Sequence, residues 1–161
     1  MTTTHRFDPL NAQEIRTAVA VTRAQGGLDE TAWFETVSVD ENRYSTVRRA
    51  YVCCYEPSSN RTFAGFVDLA AEKLHDWRHM EGQQARIVSD EFEVAMAKAQ
   101  KDPRMIAALE KRGITDMSKV LVESWAAGNF GIAEEEGRRL AYGHCWLSNE
   151  AGDNPLSLIH I

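Results

Sequence analysis

Between Trp33 and Met80 the chain passes through four strand-like runs whose connections are too short to hold a crossover helix. This restricts the fold more than any other feature. Trp33 to Val39 stops at Asp40-Glu41-Asn42, and Arg48 to Tyr55, rich in valine, tyrosine and cysteine, stops at Pro57-Ser58-Ser59-Asn60. Thr62 to Leu69 gives way to Ala70-Ala71-Glu72-Lys73, and a last run spans Leu74 to Met80. Parallel neighbours need a connection of roughly a dozen residues or more, so these runs predict an antiparallel meander.

A helix precedes the meander. Asn11 is a good N-cap and Glu14, three residues on, completes a capping-box pattern. Ile15, Ala18, Val19 and Thr22 form the expected inward stripe, and Gly26-Gly27 supplies the stop, because glycine enters the left-handed conformation without penalty. One helix on one face of a four-stranded sheet is an α+β unit, expected over residues 8–83, with Gly82-Gln83-Gln84 as connector.

The same order then starts again over residues 88–155. Asp90 is the expected cap of a second helix, with Glu93 at the third position and Phe92, Ala95, Met96 and Ala99 along one face. Asp102-Pro103 opens a further helical segment carrying Met105, Ile106 and Leu109 inward, and Lys111-Arg112-Gly113 closes it with a basic last turn and a glycine. Val120 to Trp125 and Arg139 to Leu147 read as strands around an acidic loop, Ala126 to Gly137. The fold class is therefore α+β: two small units, each a helix or helix pair on an antiparallel sheet. Only two strands fit in the second before Pro155, so by comparison with the first it reads as incomplete.

Composition removes several classes of function. With 161 residues, 43% hydrophobic and 26% charged, the chain can bury a core, and its net charge of −6 with scattered basic pairs lacks the basic stripe of a nucleic-acid binder. No apolar run approaches a membrane span. The polar start Met1-Thr2-Thr3-Thr4-His5-Arg6 lacks a secretory apolar stretch, which points to the cytoplasm. Cys53 and Cys54 are adjacent and face opposite sides of a strand, so reduced thiols fit better than a disulfide framework.

Candidate chemistry is sparse. His75 and His79 are four apart; in a strand they share a face but lie too far apart to clasp one ion easily, and no further pair has matching ligand spacing. Cys53, Cys54 and Cys145 suit packing in strands, and His144 faces away from neighbouring Cys145. Glu134-Glu135-Glu136 before Arg138-Arg139 reads as a solvated run. There is no phosphate loop, nucleophile elbow, kinase or zincin signature.

A resemblance adds what spacing does not. Asp90-Glu91-Phe92-Glu93, Lys101-Asp102-Pro103-Arg104, Lys111-Arg112-Gly113-Ile114, Val122-Glu123-Ser124-Trp125-Ala126-Ala127-Gly128 and Glu135-Glu136-Gly137-Arg138-Arg139-Leu140 occur in an order that resembles the third N-terminal (N3) domain of the copper-containing primary-amine oxidases. Asp8-Pro9-Leu10, Arg48-Arg49-Ala50-Tyr51 and Val67-Asp68-Leu69 are similar to the preceding N2 domain. The resemblance covers residues of about 8–155. It implies oxidative deamination of a primary amine to an aldehyde, with O2 consumed and ammonia and hydrogen peroxide released. It also implies a copper ion, the quinone cofactor topaquinone, and a homodimer. The quinone motif, the His-x-His pair and the aspartate base of that family belong to a C-terminal catalytic domain and are absent here, so no catalytic, cofactor or metal residue carries over and the chain alone is expected to be inactive. What the resemblance implies for the present residues is a scaffold that packs on the catalytic domain and lines part of the substrate channel. Phe92 and Trp125, with Ser124 beside the latter, are the implied wall residues; both aromatics also suit an ordinary core.

The last six residues, Leu156-Ser157-Leu158-Ile159-His160-Ile161, fit the translation of a transposon-library adapter, with a short apolar strand as the alternative. Together these features predict an N-terminal fragment of a cytoplasmic enzyme, a peroxisomal address not being readable here. The rivals are a stand-alone binding module without catalysis and, more weakly, a metal-binding protein using His75, His79 and His144.

Overall fold

The structure is a computed structural model that describes residues 5–128, 130–148, 150 and 153. The chain divides into two compact units, Met1–Arg86 and Ile87–Ile161. Among the described residues there are three α-helices and two antiparallel sheets, the α+β class expected from the sequence.

In the first unit α1 spans Ala12–Gln25 and begins as its sequence dictates. The Asn11 side chain accepts from the backbone N–H groups of Gln13 and Glu14, and Glu14 accepts from the Asn11 N–H in return. Three otherwise orphaned donors are thereby satisfied. The inward stripe differs from the expected one. Ala18, Val21 and Thr22 are buried, whereas Ile15 is 38% exposed. The helix ends at Gly26 in ordinary right-handed geometry (φ −83°), and Gly27 (φ +65°) takes the left-handed position. Gly26 is needed for room: a Cβ there would stand 2.6 Å from the Thr22 carbonyl oxygen and 3.1 Å from the Trp77 indole.

Strands β1 (Trp33–Val39), β2 (Arg49–Glu56), β3 (Arg61–Asp68) and β4 (Lys73–His79) pair in the order β1-β2-β3-β4, all antiparallel. The helix side of the sheet buries Ala50, Val52, Cys54 and Val67 against Ala18 and Val21. The reverse side packs Cys53, Tyr55 and Ala64 beneath Ala85. Cys53 and Cys54 thus face opposite sides, as period-two alternation requires. Burial raises the Cys53 thiol to about 11, with the nearby Glu35 carboxylate adding to it, and raises Cys54 to about 12.

Two irregularities break that alternation. In β1 the register shifts between Phe34 and Thr36, so Glu35 is the extra residue. In β4 the shift lies opposite Ala64/Phe66, and Asp76 takes the left-handed conformation (φ +52°). A bulge inverts the facing of every residue beyond it. His75 therefore stands opposite Phe66 on the reverse side, while His79 stands opposite Phe63 on the helix side, where the Phe63 ring stacks on Trp77 and meets His79 at a tilt. The expectation that His75 and His79 share a face is corrected by this one inserted residue.

A second feature closes the unit at its edge. Arg48 holds Glu14 with Nε at 2.6 Å and Nη2 at 2.9 Å from the two carboxylate oxygens, and Nη1 donates to the carbonyls of Arg6 and Asp8. This guanidinium lowers the Glu14 carboxyl below its usual range.

In the second unit α2 runs Ser89–Ala99, α3 Pro103–Glu110, and β5 (Val120–Ala126) pairs antiparallel with β6 (Ala141–Leu147). The expected cap of α2 at Asp90 is corrected by one turn's start. Val88 is the cap residue, it has no side-chain acceptor, and the Glu91 carboxylate takes the Val88 N–H at 3.0 Å. At α3 the sequence is obeyed: Asp102 accepts from the Arg104 N–H, Pro103 opens the helix, and Gly113 (φ +80°) follows its end. Met96, Ala99, Met105 and Ile114 pack on Leu109, Val120 and Val122.

Candidate functional site

The β5–β6 ladder sorts the second unit's side chains onto two unlike faces. Cross-strand pairs Val120↔Leu147, Val122↔Cys145 and Ser124↔Gly143 look toward the helices, where Val120, Val122 and Ser124 are buried. The alternate pairs Leu121↔Trp146, Glu123↔His144 and Trp125↔Tyr142 form the other face, which no helix covers among the described residues. Trp125 is 57% exposed and Tyr142 59% exposed on it.

The sequence-predicted residues are therefore not equivalent. Trp125 stands on the open face. Ser124, its neighbour, points the opposite way and is 3% exposed. Phe92 lies in the first turn of α2 and is 37% exposed, so it does not begin an inward stripe. Position along the elements brings Phe92 and Trp125 to the same end of the unit. Gln100, at the far end of α2, donates to the Val120 carbonyl at the start of β5, so α2 and β5 run in opposite senses.

A partly buried ion pair fixes that end. Arg139 Nε donates to Glu91 Oε1 at 2.6 Å and Nη2 to Oε2 at 2.5 Å, each side chain being 14% exposed. The fork joins the first turn of α2, which carries Phe92, to the segment entering β6, where Leu140 accepts from the Ala127 N–H. Two parallel charge-assisted bonds give directional specificity as well as attraction.

Sequence reasoning missed the rest of the open face. Tyr142, His144 and Trp146 form an aromatic row, with ring centroids 4.7 Å apart for the first pair and 5.9 Å for the second, both edge-to-face. Glu123 lies across from His144, and its Oε2 accepts the Trp146 indole N–H at 2.9 Å. The signal was present as alternation in Leu121-Glu123-Trp125 and Tyr142-His144-Trp146, once the register is known.

Between β6 and α3 a groove of about 560 Å3 opens, lined by Met105, Leu109, Arg112 and Ile114 and by residues 142–147 of β6, including Tyr142, His144 and Trp146. It is apolar, and Cys145 is exposed within it. Among the described residues no group of three or more histidine, cysteine, aspartate or glutamate side chains could hold a metal ion. His144 belongs to the second unit and His75 and His79 to opposite faces of the first unit's sheet. No described helix is long and apolar enough to cross a membrane.

Comparison with known proteins gives this geometry a context. No family model matches the chain. It is 35% identical over 159 residues, 94% of its length, to proteins of Arthrobacter sp. (strain P1) named primary amine oxidase and copper methylamine oxidase. It is 25% identical over 162 residues to the histamine oxidase of Arthrobacter globiformis, and 26% over 186 residues to the peroxisomal N-methylputrescine oxidase 1 of Nicotiana tabacum. All are oxidases by name. Over the stretch it covers, the chain is a relative of the copper-containing primary amine oxidases. It spans about a quarter of the length of these relatives, 24% for the Arthrobacter proteins.

Proposed function

We propose that the chain is the N2 and N3 portion of a copper- and topaquinone-dependent primary amine oxidase. In that enzyme it serves as scaffold and as part of the channel by which the amine reaches the catalytic domain. The supporting observation is the 35% identity sustained over 94% of the chain to a copper methylamine oxidase, across both units. The parent reaction converts a primary amine, O2 and water to an aldehyde, ammonia and hydrogen peroxide.

The described residues do not fit copper: no cluster of three or more candidate ligands exists among them. Nor do they supply the quinone motif. In this proposal the chemical steps are assigned to sequence outside this chain, and these residues bind and orient.

Trp125 and Phe92 are the wall residues of this proposal. Both are large, partly exposed aromatics at one end of the second unit, which suits contact with the hydrocarbon part of an amine. Ser124 supports the wall from behind, since it is buried on the helix side. A homodimer, packing against a catalytic domain of the same chain, and a cytoplasmic setting with reduced Cys53, Cys54 and Cys145 complete the proposal.

The test is made on the parent enzyme, obtained by following the reading frame beyond Pro155. Peroxide release on methylamine or benzylamine supports the assignment, and a frame that stops without a quinone motif sinks it. Trp125→Ala should then change the ratio of rates on bulky and small amines. An unchanged ratio removes Trp125 from the wall.

A further inference from the structure

The open face of the β5–β6 ladder carries one carboxylate among rings. Trp125 follows Glu123 on its own strand, and Tyr142, His144 and Trp146 face it from β6. None of the six residues of this face is lysine or arginine, and His144, directly opposite Glu123, is its one titratable base. The Trp146 N–H engages Oε2 and fixes the carboxylate's orientation, and among the described residues no hydrogen bond reaches Oε1. Trp125 and Tyr142 leave more than half of their surfaces open beside it.

A negative charge set among aromatic rings attracts an organic cation by two means. The carboxylate accepts charge-assisted hydrogen bonds, and the ring quadrupoles attract positive charge, indole most strongly. Anions gain neither, and a neutral alcohol can donate one hydrogen bond to the carboxylate but lacks the charge-on-charge and charge-on-ring attraction. We propose that Glu123, Trp125, Tyr142 and Trp146 form a recognition site for an alkylammonium ion, with N–H donated to Glu123 Oε1 and the alkyl chain laid over Trp125 and Tyr142. That the natural ligand is a primary ammonium, met on its way to the catalytic domain, rests on the amine-oxidase function proposed above. The cation site itself does not.

The experiment uses the full 161-residue chain. Its four indole N–H resonances, of Trp33, Trp77, Trp125 and Trp146, are followed by NMR during titration with butylammonium chloride and, separately, with 1-butanol. Saturable shifts of the Trp125 and Trp146 resonances with butylammonium, and little response to butanol, are expected. Glu123→Gln, which keeps the shape and the acceptor for Trp146, should weaken binding roughly tenfold, the size of a lost hydrogen bond to a charged group. Backbone amide shifts of β5 and β6 check that the variant is folded. Equal responses to butanol and butylammonium overturn the site without any variant, and so does unchanged binding by folded E123Q. The two proposals fail separately. Absence of ammonium binding here with an active parent oxidase rejects only the site, while ammonium binding with no quinone motif in the parent rejects only the oxidase.

Discussion

The two units are built from the same parts and end differently. In the first, a four-stranded sheet has α1 on one side and the Met80–Arg86 segment reaching the other, so both faces hold buried side chains. In the second, both helices lie on one side of a two-stranded ladder and the other side is left to Trp125, Tyr142, His144 and Trp146. The first unit spends its residues on packing. The second keeps an aromatic face exposed, and exposed apolar area of that kind marks binding surfaces.

The contrast can be broken most forcefully at the ion pair that holds the second unit's open end. Arg139→Met takes the guanidinium from the largely buried Glu91 carboxylate and leaves it the Val88 N–H, which costs about 3 kcal/mol. Hydrogen exchange in α2 and β6 should accelerate accordingly while the first unit stays protected. A loss of less than about 1 kcal/mol, the range of surface pairs, would show the fork to be solvated.

Thiol chemistry sharpens the same division. Cys53 and Cys54, buried and pushed to about 11 and 12, should resist a disulfide reagent at neutral pH, while exposed Cys145 reacts. The rates should differ by roughly a hundredfold or more, because the thiolate is the attacking species. One fast equivalent that disappears in Cys145→Ser is the expected result; two would mean that the first unit opens readily.

Next in size is Gly65→Ala. Its new Cβ would lie 2.8 Å from the His75 carbonyl oxygen and 2.9 Å from the Trp77 Cα, both backbone atoms that cannot swing away. Overpacking of this kind costs about 2 kcal/mol. Chemical denaturation should show that loss in the first unit alone.

The smallest effect concerns acid. Arg48 hydrogen-bonds Glu14 and holds its carboxyl below the ordinary 4.5, so the folded chain resists protonation at that site more than the unfolded chain does. The stabilisation is complete above 4.5 and is lost as pH falls through the depressed value. Glu14→Gln should flatten that part of the first unit's stability profile. A wild-type-like acid slope in the variant would assign it to other carboxylates.

How much of this was legible depends on range. Local chemistry was plain: Asn11 and Glu14, Asp102 and Pro103, and the run from Trp33 to Val39 appear as their sequences state. Facing was legible only where the period held. Cys53 and Cys54 split as predicted, but His75 and His79 did not stay together, because Asp76 adds a residue that no composition rule marks. Phe92 looked inward by its helical spacing and is partly exposed, since α2 begins at Ser89 under a cap that Glu91 supplies. The wall positions came from family resemblance. The carboxylate among rings came only from register, which sets Glu123 opposite His144 and Trp125 opposite Tyr142.

The bulge at Asp76 also has a consequence for inheritance. Trp77 reaches the helix side, where its indole N–H meets the Gly26 carbonyl at 3.0 Å, only because one residue is inserted before it. Deleting that residue would leave the composition of β4 almost unaltered, yet it would turn the indole outward and take from the end of α1 one of its anchors, leaving the Gln25 bonds to Glu72 and Leu74. Strand β4 therefore has a phase as well as a sequence. Descendants of this chain are free to exchange letters there far more readily than to gain or lose one.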